Sequence, residues 1–406
     1  MGPDNLAHGN HFSVMAKPIG PSCNLDCAYC YYTEKNRLYP DTRRFRMDDE
    51  TLEIFIRDYI AASDGREITF SWQGGEPTLL GRSFFRRVVE LEQLYCPKGK
   101  TIRNALQTNG TLLNGAWAAF LKEHDFLVGL SIDGPRPLHD RYRATRRGAA
   151  TFETVLAALR LLRDTDVAFN TLTVVHRGNA LQGRKVYRFL RDEGVRFMQF
   201  IPLVERQMSD GALAGPENLD GEPAAKRAPW ATPPQAFGTF LCAVFDEWVR
   251  RDVGTVFVQM FDDQLGRWLN EPQGLCVFSE HCGQCLAVEH NGDLYACDHY
   301  VYPEYRLGNI ATKPLREMAS SPPQMRFGGD KQDSLPKCCT ECPFLFACNG
   351  GCPKHRFQAA ADGEAGLNYL CPSYKRYFSH TGPYMRKMAE LLNAGRPPAE
   401  IMKLSR

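Results

Sequence analysis

The sequence predicts an α/β fold, a parallel sheet that is curled or open with helices outside it, followed by a half that metal organises more than core area does. Three observations carry this. From Val14 to Leu203, short β-rich runs alternate with helical periodicities, and such βα repetition lays strands in parallel under their crossover helices. At 406 residues the chain exceeds the roughly 250–300 at which one hydrophobic core stops growing, so two domains are expected. Ten of the 15 Cys lie between Cys276 and Cys371, a stretch rich in Gly and Pro where metal can supply folding energy.

The elements follow in order. Val14-Met15-Ala16 is the first β run, and Thr51 to Ile60 the first helix. Ile68 to Trp72 is the second run, before a helix around Phe84 to Tyr95. The third run ends at Gln107, a helix spans Trp117 to Lys122, and Leu127 to Ile132 is strand-like. A helix at Phe152 to Arg163, the run Ala168 to Val175, a helix at Val186 to Arg191 and the run Phe197 to Ile201 complete the repeat. Residues Glu205 to Pro234, rich in Pro and Gly, form a linker or an ordered excursion. An apolar-periodic segment around Phe237 to Val249 leads into the Cys-rich half.

Hydrophobic residues at 43% and charged residues at 24% match a globular protein and exclude wholesale disorder. A net charge of +2 offers no global field for nucleic acid or anionic membrane, so neither is an expected partner. No apolar run approaches the ~18 residues of a membrane span. His8, Asn10 and His11 interrupt the place where a signal peptide would need its apolar stretch. The expected location is the cytoplasm, where thiols serve metals or catalysis rather than disulfides.

Cys23, Cys27 and Cys30 form C-x3-C-x2-C on the loop after the first β run. Structural zinc takes four N or S ligands, whereas three thiolates leave one iron of a 4Fe-4S cluster open to bind something else. A zinc site completed by a distant ligand is the other reading. Gln73-Gly74-Gly75-Glu76-Pro77 ends the second β run, and its paired glycines allow close backbone approach, either to a ligand or simply within a tight βα connection. Ser131 and Asp133 end the fourth run, with Arg143 shortly after. In the second half, Cys339, Cys342, Cys348 and Cys352 have a ferredoxin-like cadence, preceded by Cys282-x9-Gly292-x4-Cys297. Spacing alone fits two four-thiolate zinc sites as well as two cubanes.

C-x3-C-x2-C with the aromatic Tyr29 before its third Cys, then Gln73 to Pro77, resembles the radical SAM superfamily. The Cys-rich half resembles its SPASM domain. Lys17-Pro18, Cys23 to Tyr32, Trp72 to Leu80, Gln107 to Thr111, Gly129 to Pro135, Phe169-Asn170, Gly292 to Asp298, Leu307 to Ile310 and Gly350-Gly351-Cys352 are together similar to the anaerobic sulfatase-maturating enzymes. The resemblance implies a partial (β/α)6 TIM-like barrel followed by a small Cys-rich iron-sulfur (SPASM) domain. The chain would divide into a tail at 1–11, the barrel at 12–204, the Pro/Gly-rich stretch at 205–234, the SPASM domain at 235–380 and a C-terminal helix or tail at 381–406.

By the same resemblance Cys23, Cys27 and Cys30 hold a 4Fe-4S cluster whose open iron binds S-adenosyl-L-methionine, cleaved on reduction to a 5'-deoxyadenosyl radical. Tyr29, Gln73, Gly74, Gly75, Glu76, Ser131 and Arg143 are implied cofactor contacts. One auxiliary 4Fe-4S cluster would take Cys276, Cys282, Cys297 and Cys352, and the other Cys339, Cys342, Cys348 and Cys371, making three clusters in all. Cys96, Cys242, Cys285 and Cys338 remain as buried small hydrophobes or spare thiols. Asp298 matches the family's catalytic Asp and follows Cys297, which makes it the implied base. The implied partners are a sulfatase polypeptide carrying Cys/Ser-x-Pro-x-Arg, whose Cys or Ser becomes formylglycine, and a low-potential electron donor. Tyr32 either lines the peptide site or belongs to the core. Two alternatives are a SPASM maturase of a ribosomal peptide, forming a thioether, a carbon-carbon link or an epimer, and a non-catalytic iron-sulfur carrier or zinc scaffold.

Overall fold

The computed structural model describes residues 12–216, 225–272 and 274–403, so the tail expected at 1–11 lies outside the described residues. The six expected β runs are all strands: β1 (Ser13–Lys17), β2 (Glu67–Trp72), β3 (Thr101–Thr108), β4 (Phe126–Ser131), β5 (Phe169–Val175) and β6 (Phe197–Pro202). Each pairs in parallel with its successor. The five expected helices separate them, as Asp49–Ala62, Arg82–Tyr95, Gly115–Glu123, Phe152–Asp164 and Gly183–Asp192.

Local chemistry explains the starts and faces of these helices. Asp48 caps the first by accepting from the Thr51 amide at 2.8 Å, and Asn114 caps the third through the Ala116 and Trp117 amides at 3.1 Å. Leu52, Phe55, Ile56, Tyr59 and Ile60 share the buried face of the first helix. They meet Phe70 and the fully buried Trp72 of β2, whose indole stands edge-on to Phe55, Phe84 and Phe85. Such aromatic packing adds to the area each ring removes from water.

The sheet continues beyond the expected six strands. A small antiparallel pair, β7 (Arg206–Gln207) with β8 (Lys226–Arg227), stands apart. Then β9 (Phe257–Val258) joins β6 in parallel, and β10 (Cys285–Glu289) joins β1 in parallel. The strands β11 (Asp293–Tyr295) and β12 (Arg306–Asn309) follow antiparallel. Among the described residues this makes one ten-stranded sheet in the order β12-β11-β10-β1-β2-β3-β4-β5-β6-β9.

Two expected domain boundaries are corrected by this packing. The segment after 235 is not yet a separate unit, because the helix Ala236–Arg251 packs on the helix Gly183–Asp192 and β9 extends the barrel sheet. The break expected at 380/381 falls inside the helix Cys371–Asn393, whose buried face runs unbroken through Tyr374, Tyr377, Phe378, Thr381, Met385 and Met388. The described parts of the 205–234 stretch form an ordered excursion. Trp230 and Ala231 are buried against Tyr29 and Leu203, and the Trp230 carbonyl accepts from the Arg177 amide at 3.0 Å. Among the described residues no helix is long and apolar enough to cross a membrane.

Candidate functional site

The loop after β1 carries Cys23, Cys27 and Cys30, all half-buried. Its shape is set by neighbours distant in sequence. The amides of Asp26 and Ala28 donate to the carbonyls of Ala144 and Tyr142 at 2.9 and 3.0 Å. The loop after β2 presses on it from the other side, with the Gly75 and Glu76 amides donating to the carbonyls of Gly20 and Ser22 at 2.8 and 2.9 Å. A Cβ on Gly75 would stand 1.8 Å from the Ser22 oxygen, so only glycine fits where these loops meet. Burial pushes the Cys23 thiol up to about 11 and that of Cys27 to about 12, with Cys30 a smaller contributor to both and Cys23 to Cys27. The three thiols are thus electrostatic neighbours, and they ionise readily only where a metal takes them as thiolates.

Glu76 is fully buried and its carboxylate is consumed by the protein. Oε1 accepts from the Thr78 amide at 3.0 Å, from the Thr78 hydroxyl at 2.6 Å and from the Thr108 hydroxyl at 2.7 Å, while Oε2 accepts from the Asn109 amide at 2.7 Å. A ligand contact at Glu76 therefore falls to its backbone, because its side chain locks the β2 loop to the β3 loop. Asn109 in turn donates to the Asn24 side chain at 2.9 Å and toward the Cys23 sulfur at 3.7 Å.

Tyr29 is buried, and its hydroxyl donates to Asp133 Oδ2. Arg143 Nε donates to the same oxygen at 2.9 Å, and its guanidinium lies 5.6 Å from the Tyr29 ring centre. Burial opposes ionisation of Asp133, but Arg143, His176 and His139 outweigh it and hold the carboxyl below its usual range. Ser131 ends β4 two residues before Asp133 and is buried. Tyr29, Arg143 and Asp133 thus form one closed cluster over Cys27, whose thiol the Arg143 charge favours as thiolate.

On the opposite side of the cysteine loop, Asp298 begins a single helical turn just after Cys297. Its Oδ2 accepts from the Tyr31 hydroxyl at 2.6 Å and its Oδ1 forms an ion pair with Lys17. Burial opposes the charge on Asp298, and the charges of Lys17 and His299 with the Tyr31 hydroxyl overcome it, holding the carboxyl down to about 2. The side chain nevertheless keeps 17% of its surface open, although Oδ1 itself is buried. Lys17 Nζ also donates to Gln73 Oε1 at 2.8 Å, and Gln73 Nε2 to Gln107 Oε1 at 2.7 Å. One chain of contacts therefore joins the β2 loop to a carboxylate more than two hundred residues later. Tyr32 belongs to the core: it is 3% exposed and donates to Glu289 under the Lys17 ammonium.

The second-half thiols fall into two groups. Cys276, Cys282, Cys297 and Cys352 act on one another electrostatically. Cys339, Cys342, Cys348 and Cys371 do the same. Cys352 stands with the first group although Cys348 is four residues away. Of the remaining thiols, Cys242 is buried and Cys96 half-buried, whereas Cys285 is exposed, lies against Cys276 and accepts from the Ser13 hydroxyl at 3.4 Å. Cys338 lies against Cys339. Among the described residues no three His, Cys, Asp or Glu converge on a single-ion site, a convergence that cubane thiolates, bound to four separate irons, do not require. Two buried cations bear on the fit of such clusters. Lys331 and Arg356 are 1% and 8% exposed and among the described residues pair with no carboxylate, so anionic thiolate-bound clusters suit their surroundings.

Lys17, Tyr31 and Asn109 lie inside stretches that carry the family resemblance but receive no role from it. Lys17 in the Lys17-Pro18 pair and Tyr31 beside Cys30 sit next to motif residues, and that adjacency was the available signal. Nothing local marks Lys331 or Arg356.

The comparisons agree with this geometry. The sequence pattern of the Radical SAM superfamily matches residues 18–190, and that of an iron-sulfur cluster-binding domain (SPASM) matches residues 276–343. The chain is 45% identical to the serine-type anaerobic sulfatase-maturating enzyme of Bacteroides thetaiotaomicron over 96% of this chain and 94% of that one. It is 34% identical to the cysteine-type enzyme of Clostridium perfringens over 93% of this chain and 98% of that one. Among solved structures, anSMEcpe with bound AdoMet and Cp18Cys peptide superposes with a TM-score of 0.81 at 32% identity, covering 94% of this chain and 99% of that one. Streptococcus suis SuiB, at 14% identity, TM-score 0.59 and coverage of 89% of this chain and 77% of that one, shares the fold.

Proposed function

The chain belongs to the anaerobic sulfatase-maturating enzymes of the radical SAM superfamily, and on that premise we propose that it oxidises a Ser or Cys of a sulfatase polypeptide to formylglycine without oxygen. The observation that carries the reading is the contact chain Gln73–Lys17–Asp298, which sets an ionised carboxylate of the second half beside the cofactor motif of the first.

Cys23, Cys27 and Cys30 would hold the cluster that binds S-adenosyl-L-methionine. Gln73, Ser131, Arg143 and the backbone of Gly74, Gly75 and Glu76 would hold that cofactor, with Tyr29 bracing Arg143 through Asp133. Cys276, Cys282, Cys297 and Cys352 would hold one auxiliary cluster, and Cys339, Cys342, Cys348 and Cys371 the other. When bound, these groups supply a carbon-centred radical able to take hydrogen from the β carbon of the target residue and a sink for the electron that follows.

The chain's own residues handle the proton and the positioning. Asp298 Oδ1 or Oδ2 accepts the hydroxyl or thiol proton of the target side chain. With its acidity held at about 2, Asp298 is a weak base, suited to a hydroxyl whose carbon has already lost hydrogen and which is therefore more acidic. Tyr31 and Lys17 fix the carboxylate and give up part of their contact as the peptide arrives. The oxidised Ser carbon is the aldehyde directly, and a thioaldehyde from Cys reaches it by hydrolysis. A low-potential electron donor and a cytoplasmic setting complete the proposal, since Cys usage of this kind needs a reducing environment.

The test is anaerobic. Reconstituted protein receives dithionite, S-adenosyl-L-methionine and 18-residue peptides carrying Ser-x-Pro-x-Arg or Cys-x-Pro-x-Arg. Expected are about twelve iron per chain and a product lighter by about 2 Da from Ser or about 18 Da from Cys, formed alongside deoxyadenosine. Deoxyadenosine without any change in either peptide would overturn the sulfatase reading and point to another peptide substrate. Zinc in place of iron would overturn radical chemistry altogether.

A further inference from the structure

The run Cys348-Asn349-Gly350-Gly351-Cys352 crosses from one thiol group to the other. Its first Cys stands with Cys339, Cys342 and Cys371, and its last with Cys276, Cys282 and Cys297. Arg356 clasps this crossing. Its Nε donates to the Gly350 carbonyl at 3.1 Å, and its Nη2 to the carbonyls of Asn349 at 2.8 Å and Gly351 at 3.3 Å. Nη1 donates to the Lys331 carbonyl and to the Ser334 hydroxyl at 3.4 Å. Gly350 and Gly351 have φ of +68° and +65°, and a Cβ on Gly350 would stand 2.6 Å from Nη2. The two glycines therefore let the strand of carbonyls curl around the guanidinium.

Among the described residues every acceptor of this guanidinium is neutral, and its donors are saturated without one carboxylate. Lys331 repeats the pattern, donating to the carbonyls of Cys276 at 2.8 Å and Val277 at 3.1 Å. Hydrogen bonds to carbonyls satisfy the N–H groups but leave the net charge uncompensated, and in a low-dielectric interior that charge reaches far. The thiols that feel Arg356 come from both groups: Cys339 and Cys348 from one, Cys282 and Cys352 from the other. Lys331 faces Cys282, Cys352 and Cys276, all of one group.

We propose that Arg356 is a positioning residue shared by the two auxiliary clusters, holding the Cys348–Cys352 crossing in place while its fixed charge raises the reduction potential of both. The inference rests on the cluster assignment above. A guanidinium stays charged at any accessible pH, and positive charge beside a cluster favours the state with one more electron, as net charge and hydrogen bonding tune such centres. Both clusters are thereby kept ready to accept the electron that leaves the peptide. Lys331 adds to this for the Cys276, Cys282, Cys297 and Cys352 cluster alone.

The experiment is a redox titration of the reconstituted full-length protein, followed by electron paramagnetic resonance, with iron and sulfide counted for each variant. Two variants cancel the charge. Arg356→Gln deletes it, and Ser334→Asp keeps the guanidinium and its bonds to the carbonyls of Lys331, Asn349, Gly350 and Gly351 but exchanges the Ser334 hydroxyl beside Nη1 for a carboxylate at an exposed position. Both are expected to lower the two auxiliary potentials by at least tenfold in the one-electron equilibrium constant, about 59 mV, leaving the Cys23, Cys27 and Cys30 cluster unmoved. Lys331→Gln is expected to lower one auxiliary potential only. Should Arg356→Gln fail to load, Ser334→Asp decides. Full iron with unmoved auxiliary potentials in Ser334→Asp would overturn the proposal, as would a shift confined to one auxiliary cluster. A wild-type protein showing no auxiliary-cluster signals would instead overturn the cluster assignment on which it rests.

Discussion

Both halves of the molecule bury charge of both signs, but they answer part of it differently. In the barrel half the fully buried groups include Glu76, Glu92 and Asp133, and Glu76 and Asp133 are met by protein donors through hydroxyls, amides and Arg143. In the second half Lys331 and Arg356, buried along with Glu247, Glu289 and Asp293, are met among the described residues only by neutral oxygens. The first half meets Glu76 and Asp133 with its own donors, whereas the second keeps the positive charge of Lys331 and Arg356 next to its thiols. The lesson is that the barrel's buried carboxylates are answered by side chains and amides, while the surroundings of Lys331 and Arg356 suit an anionic guest that the thiols would bind.

The largest expected effect lies at the seam between the halves. Asp298→Asn keeps the shape but loses the proton acceptor, so formylglycine formation should fall by about 10²–10⁴ while deoxyadenosine production persists. Mass spectrometry of peptide and nucleoside from one reaction checks both, and undiminished formylglycine would remove Asp298 from the mechanism. Next comes Gly75→Ala. Its Cβ cannot coexist with the Ser22 carbonyl, so the loop of Cys23, Cys27 and Cys30 should lose its iron, about four of twelve, with both auxiliary sites intact. An even loss from all three sites would break the picture of independent halves.

Removing iron with a chelator sharpens the comparison further. Amide exchange should accelerate across residues 276–371 and stay slow in β2, β3 and β4, whose partners are protein rather than metal. Uniform acceleration would mean that the barrel, too, depends on its guest. The smallest effect belongs to Glu92. Burial raises its pKa from 4.5 to about 8, and although Oε2 accepts from Asn104 at 2.8 Å, Oε1 has no partner among the described residues. The folded state therefore keeps a proton that the unfolded chain releases above pH 4.5, so this group's contribution to stability falls as pH rises from there to about 8 and is flat beyond. Glu92→Gln should raise stability at pH 8 and above by about 1–3 kcal/mol and change it little at pH 4. Denaturant unfolding at the two pH values measures the difference.

How much of this was legible depended on range. The helix Phe152–Asp164 matched its expected span because an apolar stripe with helical spacing is a property of neighbouring residues. β9 escaped notice because it is two residues long, and β10 because nothing in its own sequence says that it pairs with β1, 272 residues away at Ser13 and Cys285. The role of Glu76 shows the same limit within a motif. Spacing marks it as part of a ligand-binding segment, but that its carboxylate is spent on Thr78, Thr108 and Asn109 follows only from the packing of two loops.

By itself the sequence determined the six-strand βα repeat, the two fields of thiols, the glycines at the β2 loop and the carboxylate following Cys297. These are statements about residue type and short spacing, and strand and helix periods are written within a few turns of chain. The tertiary structure alone decided that the second half extends the barrel sheet, that Lys17 reaches Asp298 and that Arg356 clasps the carbonyls between Cys348 and Cys352. Each of those depends on backbone groups and charges brought together from distant positions, and no local pattern records which distant partner will arrive.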